Sequence, residues 1–128
     1  MGTLTKNFSL SEFACPCCGV RRMTATIQRN LRRLAEGLQL LRDALGKPVR
    51  ITSGYRCPSR NRVVGGVPNS QHVLGLAADV VVDGLTPAQV AQAAAKIPVF
   101  RIGGIGVYHS DGFTHLDVRG WIARWEEK

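Results

Sequence analysis

The chain has 128 residues, of which 45% are hydrophobic and 20% are charged, a balance typical of one globular domain with its own core. No apolar run approaches the ~20 residues that a membrane-spanning helix needs, and the N-terminal stretch lacks the apolar segment of a signal peptide. The 17 Lys and Arg residues exceed the 9 Asp and Glu residues, and the formal charge of +8 favours a polyanionic partner. We therefore expect a single domain over residues 1–128 that is made in the cytoplasm.

The first 22 residues are predicted to form a lead-in that includes a cysteine-rich turn. NFSLSEF is typical of an extended segment followed by a short helical turn, for which Ser9 or Ser11 could be the cap. CPCCG is predicted to be a turn because Pro16 and Gly19 interrupt regular structure.

One long amphipathic helix is predicted from Thr26 to Leu45, because apolar residues recur there at steps of three and four. Gly46 marks its expected C-terminal stop. Arginines gather around this helix, and a solvated helix face is the simplest interpretation of the cluster, whose members are Arg21, Arg22, Arg29, Arg32, Arg33 and Arg42.

The middle of the chain is predicted to contain two strands and a second helix. PVRITSGYR alternates apolar and polar residues, which predicts a strand over Val49–Ser53, and a long loop follows over Arg56–Asn69. LAADVVVDG is apolar enough to be a buried strand. TPAQVAQAAAKI predicts a helix because Thr86 can cap it and Pro87 lies in its first turn.

The last third of the chain is predicted to contain a strand pair and a tail. GGIGVYHSDG and FTHLDVRG indicate two strands joined by a turn at Ser110–Gly112. The tail over residues 121–128, WIARWEEK, either packs its two tryptophans or frays.

Four cysteines are present, and their spacing leaves their state open. Cys15, Cys17 and Cys18 lie in CPCCG, and Cys57 lies far along the chain in GYRCP. One compact cluster is not the two spaced pairs of a typical zinc knob. Reduced structural thiols, one disulfide and a small second metal site are all compatible with this pattern.

Two histidines and an aspartate are candidates for a metal site. His72 and Asp79 would be roughly 10 Å apart on one helix, too far for a single ion, but Gly75 allows a turn carrying His72 to lead into the strand carrying Asp79. His115 can supply a third donor if its strand neighbours that of Asp79. Asp117 lies on the same strand face about 6–7 Å further along, which suits an acceptor for a ligand histidine or an acid–base group.

Ordinary roles also fit these residues. A histidine is often a surface or satisfied core residue, and Asp79 could cap a turn. An ionised carboxylate within so apolar a run is nevertheless costly unless it is paired or bound to a cation. The metal-site interpretation explains that cost.

With these residues in place, the sequence resembles the zinc-dependent peptidases of the D-alanyl-D-alanine carboxypeptidase and murein endopeptidase family, which includes phage endolysins and wall-remodelling enzymes. The resemblance rests on SGYR, on NSQHVLGLAAD, and on GIGVY followed by FTHLDVRG, and it runs from Phe8 to Gly120. It implies a small α+β domain with a central antiparallel sheet and helices packed on one side. It also implies one zinc ion bound by His72, Asp79 and His115.

The general base departs from the pattern of several branches of that family, which place an acidic residue three positions before the last ligand histidine. Gly112 occupies that position here, and Asp111 is one residue away, which on a strand sends its side chain to the opposite face. We therefore expect Asp117 to be the base, with Asp111 as the weaker alternative. His109 could stabilise the oxyanion or could be an exposed turn residue.

The resemblance also implies residues that bind substrate. Arg56, the arginine of SGYR, would hold a substrate carboxylate, because its planar guanidinium can donate two parallel hydrogen bonds. A surface arginine is the alternative. Asn69, Ser70 and Gln71 are expected to shape the wall of the cleft.

The function implied is a zinc carboxypeptidase or endopeptidase that hydrolyses peptide bonds in peptidoglycan stem peptides or cross-links. We expect a monomer that is phage-encoded or released by another route, acts on the cell wall, and is attracted to anionic wall polymers rather than to nucleic acid. A zinc-binding domain without hydrolytic activity, such as a structural part of a phage tail, is the first alternative. A nucleic-acid binder that uses CPCCG and the arginine-rich helix is the second.

Overall fold

The computed structural model describes residues 3–15, 23–63 and 70–128, which form an α+β domain, as the sequence predicted. The helices are α1 (Ala25–Leu45), α2 (Pro58–Val63), α3 (Pro87–Ala94) and α4 (Pro98–Arg101), with 3₁₀ helices at Leu10–Phe13 and Gln71–Leu74. The strands are β1 (Arg50–Ser53), β2 (Ala77–Val81), β3 (Gly104–Tyr108), β4 (Phe113–Asp117) and β5 (Ala123–Glu127). None of the helices in these ranges combines the length and hydropathy needed to traverse a bilayer.

The sheet has the strand order β1-β2-β4-β3-β5. The first four strands pair antiparallel, which confirms the predicted central antiparallel arrangement, whereas β5 pairs with β3 in parallel. The prediction for residues 121–128 is therefore wrong where it allowed the tail to fray. The tail becomes a strand because the edge of β3 that β4 leaves open offers hydrogen-bond partners.

The helix α1 confirms the predicted amphipathic pattern. Thr24 begins it by accepting a hydrogen bond from the backbone N–H of Ile27 at 3.2 Å, and Gly46 ends it in the left-handed conformation with φ 65°. Its buried leucines join one core with apolar residues of β2 and β4, and the fully buried members of this cluster include Leu31, Leu34, Leu38, Leu41, Ala78, Val80 and Leu116. Burial of this stripe stabilises the contact between α1 and the sheet.

The loop predicted over Arg56–Asn69 is wrong for residues 58–63, which form helix α2. Pro58 opens this helix, where its missing N–H costs nothing, and the backbone N–H of Asn61 donates to the carbonyl of Cys57 at 2.9 Å. Six residues are too few to show a helical apolar period, so only the proline signalled it. The rest of that predicted loop, and the CPCCG turn from Pro16 onward, lie outside the described residues.

Three shorter predictions are confirmed. Thr86 caps α3 by accepting from the N–H of Gln89 at 3.2 Å. The turn between β3 and β4 closes through a hydrogen bond from the N–H of Gly112 to the carbonyl of Tyr108 at 2.9 Å, with Gly112 at φ 77°. The lead-in likewise forms its short helical turn after Ser9, whose N–H donates to the carboxylate of Glu12 at 2.7 Å.

Candidate metal centre

The register of β2 and β4 places Asp79 directly opposite His115. Directly opposed residues of antiparallel strands project from the same face of the sheet, so the carboxylate and the imidazole meet. The neighbouring residues Ala78 and Leu116 point to the other face and join the core. The expectation that the strands of Asp79 and His115 are neighbours is confirmed.

His72 reaches the same point from the 3₁₀ helix that precedes β2. Ser70 caps this helix by accepting from the N–H of His72 at 3.2 Å. Gly75 then turns the chain into β2 with φ 74°, and a Cβ at Gly75 would lie 3.0 Å from the side chain of Ile27. The bend at Gly75 therefore lets the two residues that are seven positions apart approach each other.

The three side chains form a compact, buried group. Their nearest ligand atoms, one from each of His72, Asp79 and His115, all lie within 4.8 Å of one another. The Oδ1 atom of Asp79 is 3.3 Å from Nε2 of His72 and 3.2 Å from Nδ1 of His115. The exposed fractions of the three residues are 3%, 4% and 7% in chain order, so water competes little for these atoms.

The nitrogen of each imidazole that faces away from the group is held by an acceptor. Nδ1 of His72 donates to the carbonyl of Gly54 at 2.8 Å, and Nε2 of His115 donates to Oδ2 of Asp117 at 2.7 Å. These contacts turn Nε2 of His72 and Nδ1 of His115 toward Asp79, and in the neutral rings these atoms would carry the lone pairs available to a metal ion. Two imidazoles and one carboxylate are a donor set found in zinc sites with three protein ligands. The hydrogen bonds that orient the imidazoles are also typical of such sites, so these residues fit a zinc ion.

Asp117 is completely buried and surrounded by donors. Its Oδ1 accepts from the N–H of Gly104 at 2.8 Å, and Arg119 contacts both oxygens, with Nη2 2.7 Å from Oδ2. The carboxylate therefore holds His115 in place, one of the two roles expected for it. Both of its oxygens already accept hydrogen bonds, and its other expected role, that of general base, stays a prediction.

Hydrogen bonding displaces three pKa values at this site. Burial alone would raise the pKa of Asp79, but the imidazoles of His115 and His72, which donate to its carboxylate when protonated, outweigh burial and hold that pKa well below its usual range. Burial would likewise raise the pKa of Asp117, which hydrogen bonds with His115 and Arg119 hold well below its usual range. Burial lowers the pKa of His115, but Asp117 and Asp79 raise it overall. Both carboxylates are thus ionised at neutral pH.

Arg56 lies beside the group. Its Nη2 is 3.3 Å from Oδ2 of Asp79, its Nε donates to Oγ of Ser53 at 3.1 Å, and its Nη1 donates to Oδ1 of Asn61 at 3.3 Å. The side chain is 15% exposed. The alternative of a surface arginine is wrong, because the guanidinium is fixed against the carboxylate that faces both histidines.

The remaining predicted site residues fall in three places. Ser70, the N-cap of the 3₁₀ helix that carries His72, and Gln71, its first residue, are half-buried, and Asn69 lies outside the described residues. His109 is on the exposed turn after β3 and its Nε2 pairs with the carboxylate of Glu126. Asp111 is exposed on the same turn. The structure does not bring His109 or Asp111 to the three-residue group.

Sequence reasoning missed the residues that support His115 on the same face of the sheet, across β3. The indole of Trp125 lies 4.9 Å from the imidazole of His115, centroid to centroid. It occupies the space above Gly106, where a Cβ would lie 2.3 Å from the indole, and a Cβ at Gly104 would lie 2.2 Å from Asp117. The guanidinium of Arg119 is 5.4 Å from the Trp125 ring. The two alternating glycines were the available signal, because they leave one strand face without side chains.

Comparison of the sequence with known proteins identifies one family. A family model described as peptidase M15 matches residues 6–117. The zinc D-Ala-D-Ala carboxypeptidase of Streptomyces albus G is 34% identical over 109 residues, which are 82% of this chain and 43% of that protein. The peptidoglycan L,D-endopeptidase MepK of Escherichia coli strain K12 is 34% identical over 91 residues, 66% of this chain and 48% of that protein. The chain therefore spans less than half the length of either relative.

Proposed function

The chain belongs to the peptidase M15 family, and from this membership and the site geometry we propose that it is a zinc-dependent peptidase acting on peptidoglycan. The family resemblance read from the sequence is thereby confirmed. The observation that supports the activity is the convergence of His72, Asp79 and His115 within 4.8 Å on one sheet face. The two relatives are named for cleaving bonds of this class, a D-Ala-D-Ala bond in one and an L,D bond of peptidoglycan in the other.

Zinc would be held by Nε2 of His72, a carboxylate oxygen of Asp79 and Nδ1 of His115. When bound, it would supply Lewis acidity that lowers the pKa of water toward neutrality and polarises the scissile carbonyl. The protein's part is orientation. The carbonyl of Gly54 and the carboxylate of Asp117 fix the tautomer and the ring plane of each histidine, so the donor atoms are placed before the ion arrives.

Arg56 is proposed to bind a carboxylate of the peptide stem as well as Asp79. Its guanidinium is held at three points, to Ser53, Asn61 and Asp79, so its fork is already oriented. A guanidinium fixed in this way loses little side-chain entropy when a second carboxylate docks. Ser70 and Gln71 would line the same side, because they are the N-cap and the first residue of the 3₁₀ helix that carries His72.

Asp117 is proposed to be a positioning residue for His115 rather than the group that takes a proton from water. Its oxygens accept from His115, Gly104 and Arg119, and its pKa lies well below the usual range, so it is a weak proton acceptor. This assignment revises the role expected from the sequence.

A zinc-binding domain without hydrolytic activity is the second candidate, and one observation favours it. Each carboxylate of the described site is already engaged, Asp79 by two histidines and Arg56, and Asp117 by His115 and Arg119. A hydrolase of this family needs a proton acceptor at the site. Both candidate functions require bound zinc, and they differ only in whether peptide bonds are hydrolysed.

The experiment that separates them uses the purified chain, its metal content and a defined peptidoglycan. The peptidase proposal expects one zinc per chain, chelator-sensitive release of products, and loss of both in His72→Ala. Asp83→Asn is the matched control, because the Asp83 side chain is 93% exposed and pairs only at the surface with Arg50. Mass spectrometry of the products distinguishes loss of a terminal alanine from separation of cross-linked stems. Stoichiometric zinc with unchanged peptidoglycan would support the second candidate.

We further propose that the chain acts at the cell wall, as an endolysin or a wall-remodelling enzyme. Its formal charge of +8 suits attraction to anionic wall polymers. Wall binding that weakens steeply with ionic strength is expected, and sedimentation with purified walls over a salt series measures it.

A further inference from the structure

A pair of cysteines lies behind the candidate metal centre, where the N-terminal segment packs on the segment after β1. The N–H of Tyr55 donates to the carbonyl of Phe13 at 2.8 Å, and a Cβ at Gly54 would lie 2.7 Å from Cα of Phe13. Two residues further along each segment are Cys15 and Cys57. Their Sγ atoms are 3.5 Å apart, and the residues are only 1% and 5% exposed.

We propose that Cys15 and Cys57 form a disulfide when the chain folds under oxidising conditions. The two sulfurs are already in van der Waals contact, and an S–S bond of about 2.05 Å requires them to approach by roughly 1.5 Å, a shift that side-chain rotation can supply. Of the states that the sequence left open for the cysteines, this sulfur–sulfur contact favours a disulfide over two unlinked thiols.

The reaction needs an oxidant, and a small-molecule disulfide such as oxidised glutathione supplies it. One cysteine thiolate attacks the oxidant, which forms a mixed disulfide and releases one thiolate. The other cysteine thiolate then attacks the protein sulfur of the mixed disulfide, and the second small thiolate leaves. Two protein thiols are oxidised, one small disulfide is reduced to two thiols, and the protons pass to the released thiolates. Because both sulfurs are buried, the exchange occurs during folding.

The disulfide would brace the segment that orients the metal ligands. Gly54 accepts the hydrogen bond of His72, and Arg56, next to Cys57, contacts Asp79 and donates its backbone N–H to the carbonyl of His72 at 3.1 Å. The bond would join residues 42 positions apart in the chain. Closing a loop of that length removes much of the entropy of the unfolded chain, which raises stability. The inference does not rest on the proposed hydrolysis, since no step in it involves substrate.

The test is refolding of the full chain in a glutathione redox buffer and, in parallel, in a phosphine reductant. The oxidised sample should lose the mass of two hydrogen atoms, and proteolysis without reduction should yield a peptide pair joined through Cys15 and Cys57. Its Tm should exceed that of the reduced sample by an amount on the order of 10 °C. Cys15→Ser and Cys57→Ser should each abolish the mass change and the redox dependence of Tm.

The control is Cys17→Ser combined with Cys18→Ser, which should leave the cross-linked peptide and the Tm difference intact. Three outcomes would overturn the proposal: a cross-link that joins Cys15 or Cys57 to Cys17 or Cys18, thiols that remain reduced in the redox buffer, or a second equivalent of zinc released by a thiol-specific reagent. The peptide map of the wild-type chain decides the matter even where a serine variant fails to fold.

Discussion

Replacing Asp117 with asparagine tests the claim that this residue positions His115. Every hydrogen-bond partner of the carboxylate is a donor: Nε2 of His115 and Nη2 of Arg119 approach Oδ2, and the N–H groups of Gly104 and Arg119 approach Oδ1. An amide has only one acceptor oxygen. Whichever way the new amide turns, its NH₂ group meets donors, so at least two buried hydrogen bonds to a charged group are lost.

The expected magnitude follows from those losses. Each hydrogen bond to a charged group contributes about 1.5–3 kcal/mol, so the loss of two should lower the free energy of unfolding by roughly 3–6 kcal/mol. For a chain of this size each kcal/mol lowers Tm by roughly 3–4 °C, which predicts a decrease of about 9–24 °C. Because the partner of a metal-ligating histidine is disturbed, zinc affinity should also fall about 10–100-fold.

The assay is thermal unfolding by circular dichroism in a chelator, together with zinc affinity from competition with a chromophoric chelator. Asp83→Asn is the matched control, with an expected change in unfolding free energy below about 0.5 kcal/mol, because the surface pair with Arg50 is exposed. A variant with parental Tm and parental zinc affinity would refute the positioning role. Parental zinc affinity with lost turnover would instead restore Asp117 as the general base.

Three further predictions concern the same site. His72→Ala should remove zinc binding. At a free zinc concentration 100 times Kd, zinc should raise the free energy of unfolding of the parent by about 2.7 kcal/mol and that of the variant not at all, as measured by Tm with and without zinc. Gly106→Ala should destabilise the chain by about 1–3 kcal/mol, because the added Cβ would lie 2.3 Å from the Trp125 indole. Denaturant unfolding followed by tryptophan fluorescence measures this loss, and an unchanged midpoint would contradict the packing of Trp125 on Gly106. Arg56→Lys should lower kcat/KM on peptidoglycan fragments by about 10-fold or more while zinc content stays at one per chain, because a lysine cannot donate the paired hydrogen bonds; unchanged kcat/KM would remove Arg56 from substrate binding.

Most of the positions of the candidate site residues could be predicted from the sequence, because each depends on residues close by in the chain. Asp79 stands in an apolar run where an ionised group needs a partner, and Gly75 permits the turn that brings His72 back. The period-2 spacing of His115 and Asp117 fixes both on one strand face. The pairing of the two strands is the one long-range assumption, and the register of Asp79 with His115 confirms it.

The parts that sequence reasoning missed depend on contacts between distant segments. Nothing local indicates that residues 123–127 add to β3 in parallel, because that choice depends on the edge left open by β4. The sequence around Arg119 does not distinguish it from an ordinary loop arginine, and only the fold brings its guanidinium into contact with Asp117. His109 sits close to His115 in sequence, yet its imidazole pairs with Glu126, which alternates with Trp125 along β5 and so projects from the opposite face.

The pairing of β2 with β4 would give a bound zinc ion a part in folding. A slip of one residue between these strands would replace His115 by Leu116 opposite Asp79 and would turn the donors to opposite sides. An ion held by all three side chains can therefore bind only when the strands are correctly aligned, so its binding would stabilise this alignment relative to misaligned ones. Bound zinc would thus favour the correct strand alignment, and refolding with zinc should yield a larger fraction of correctly aligned chain than refolding in a chelator.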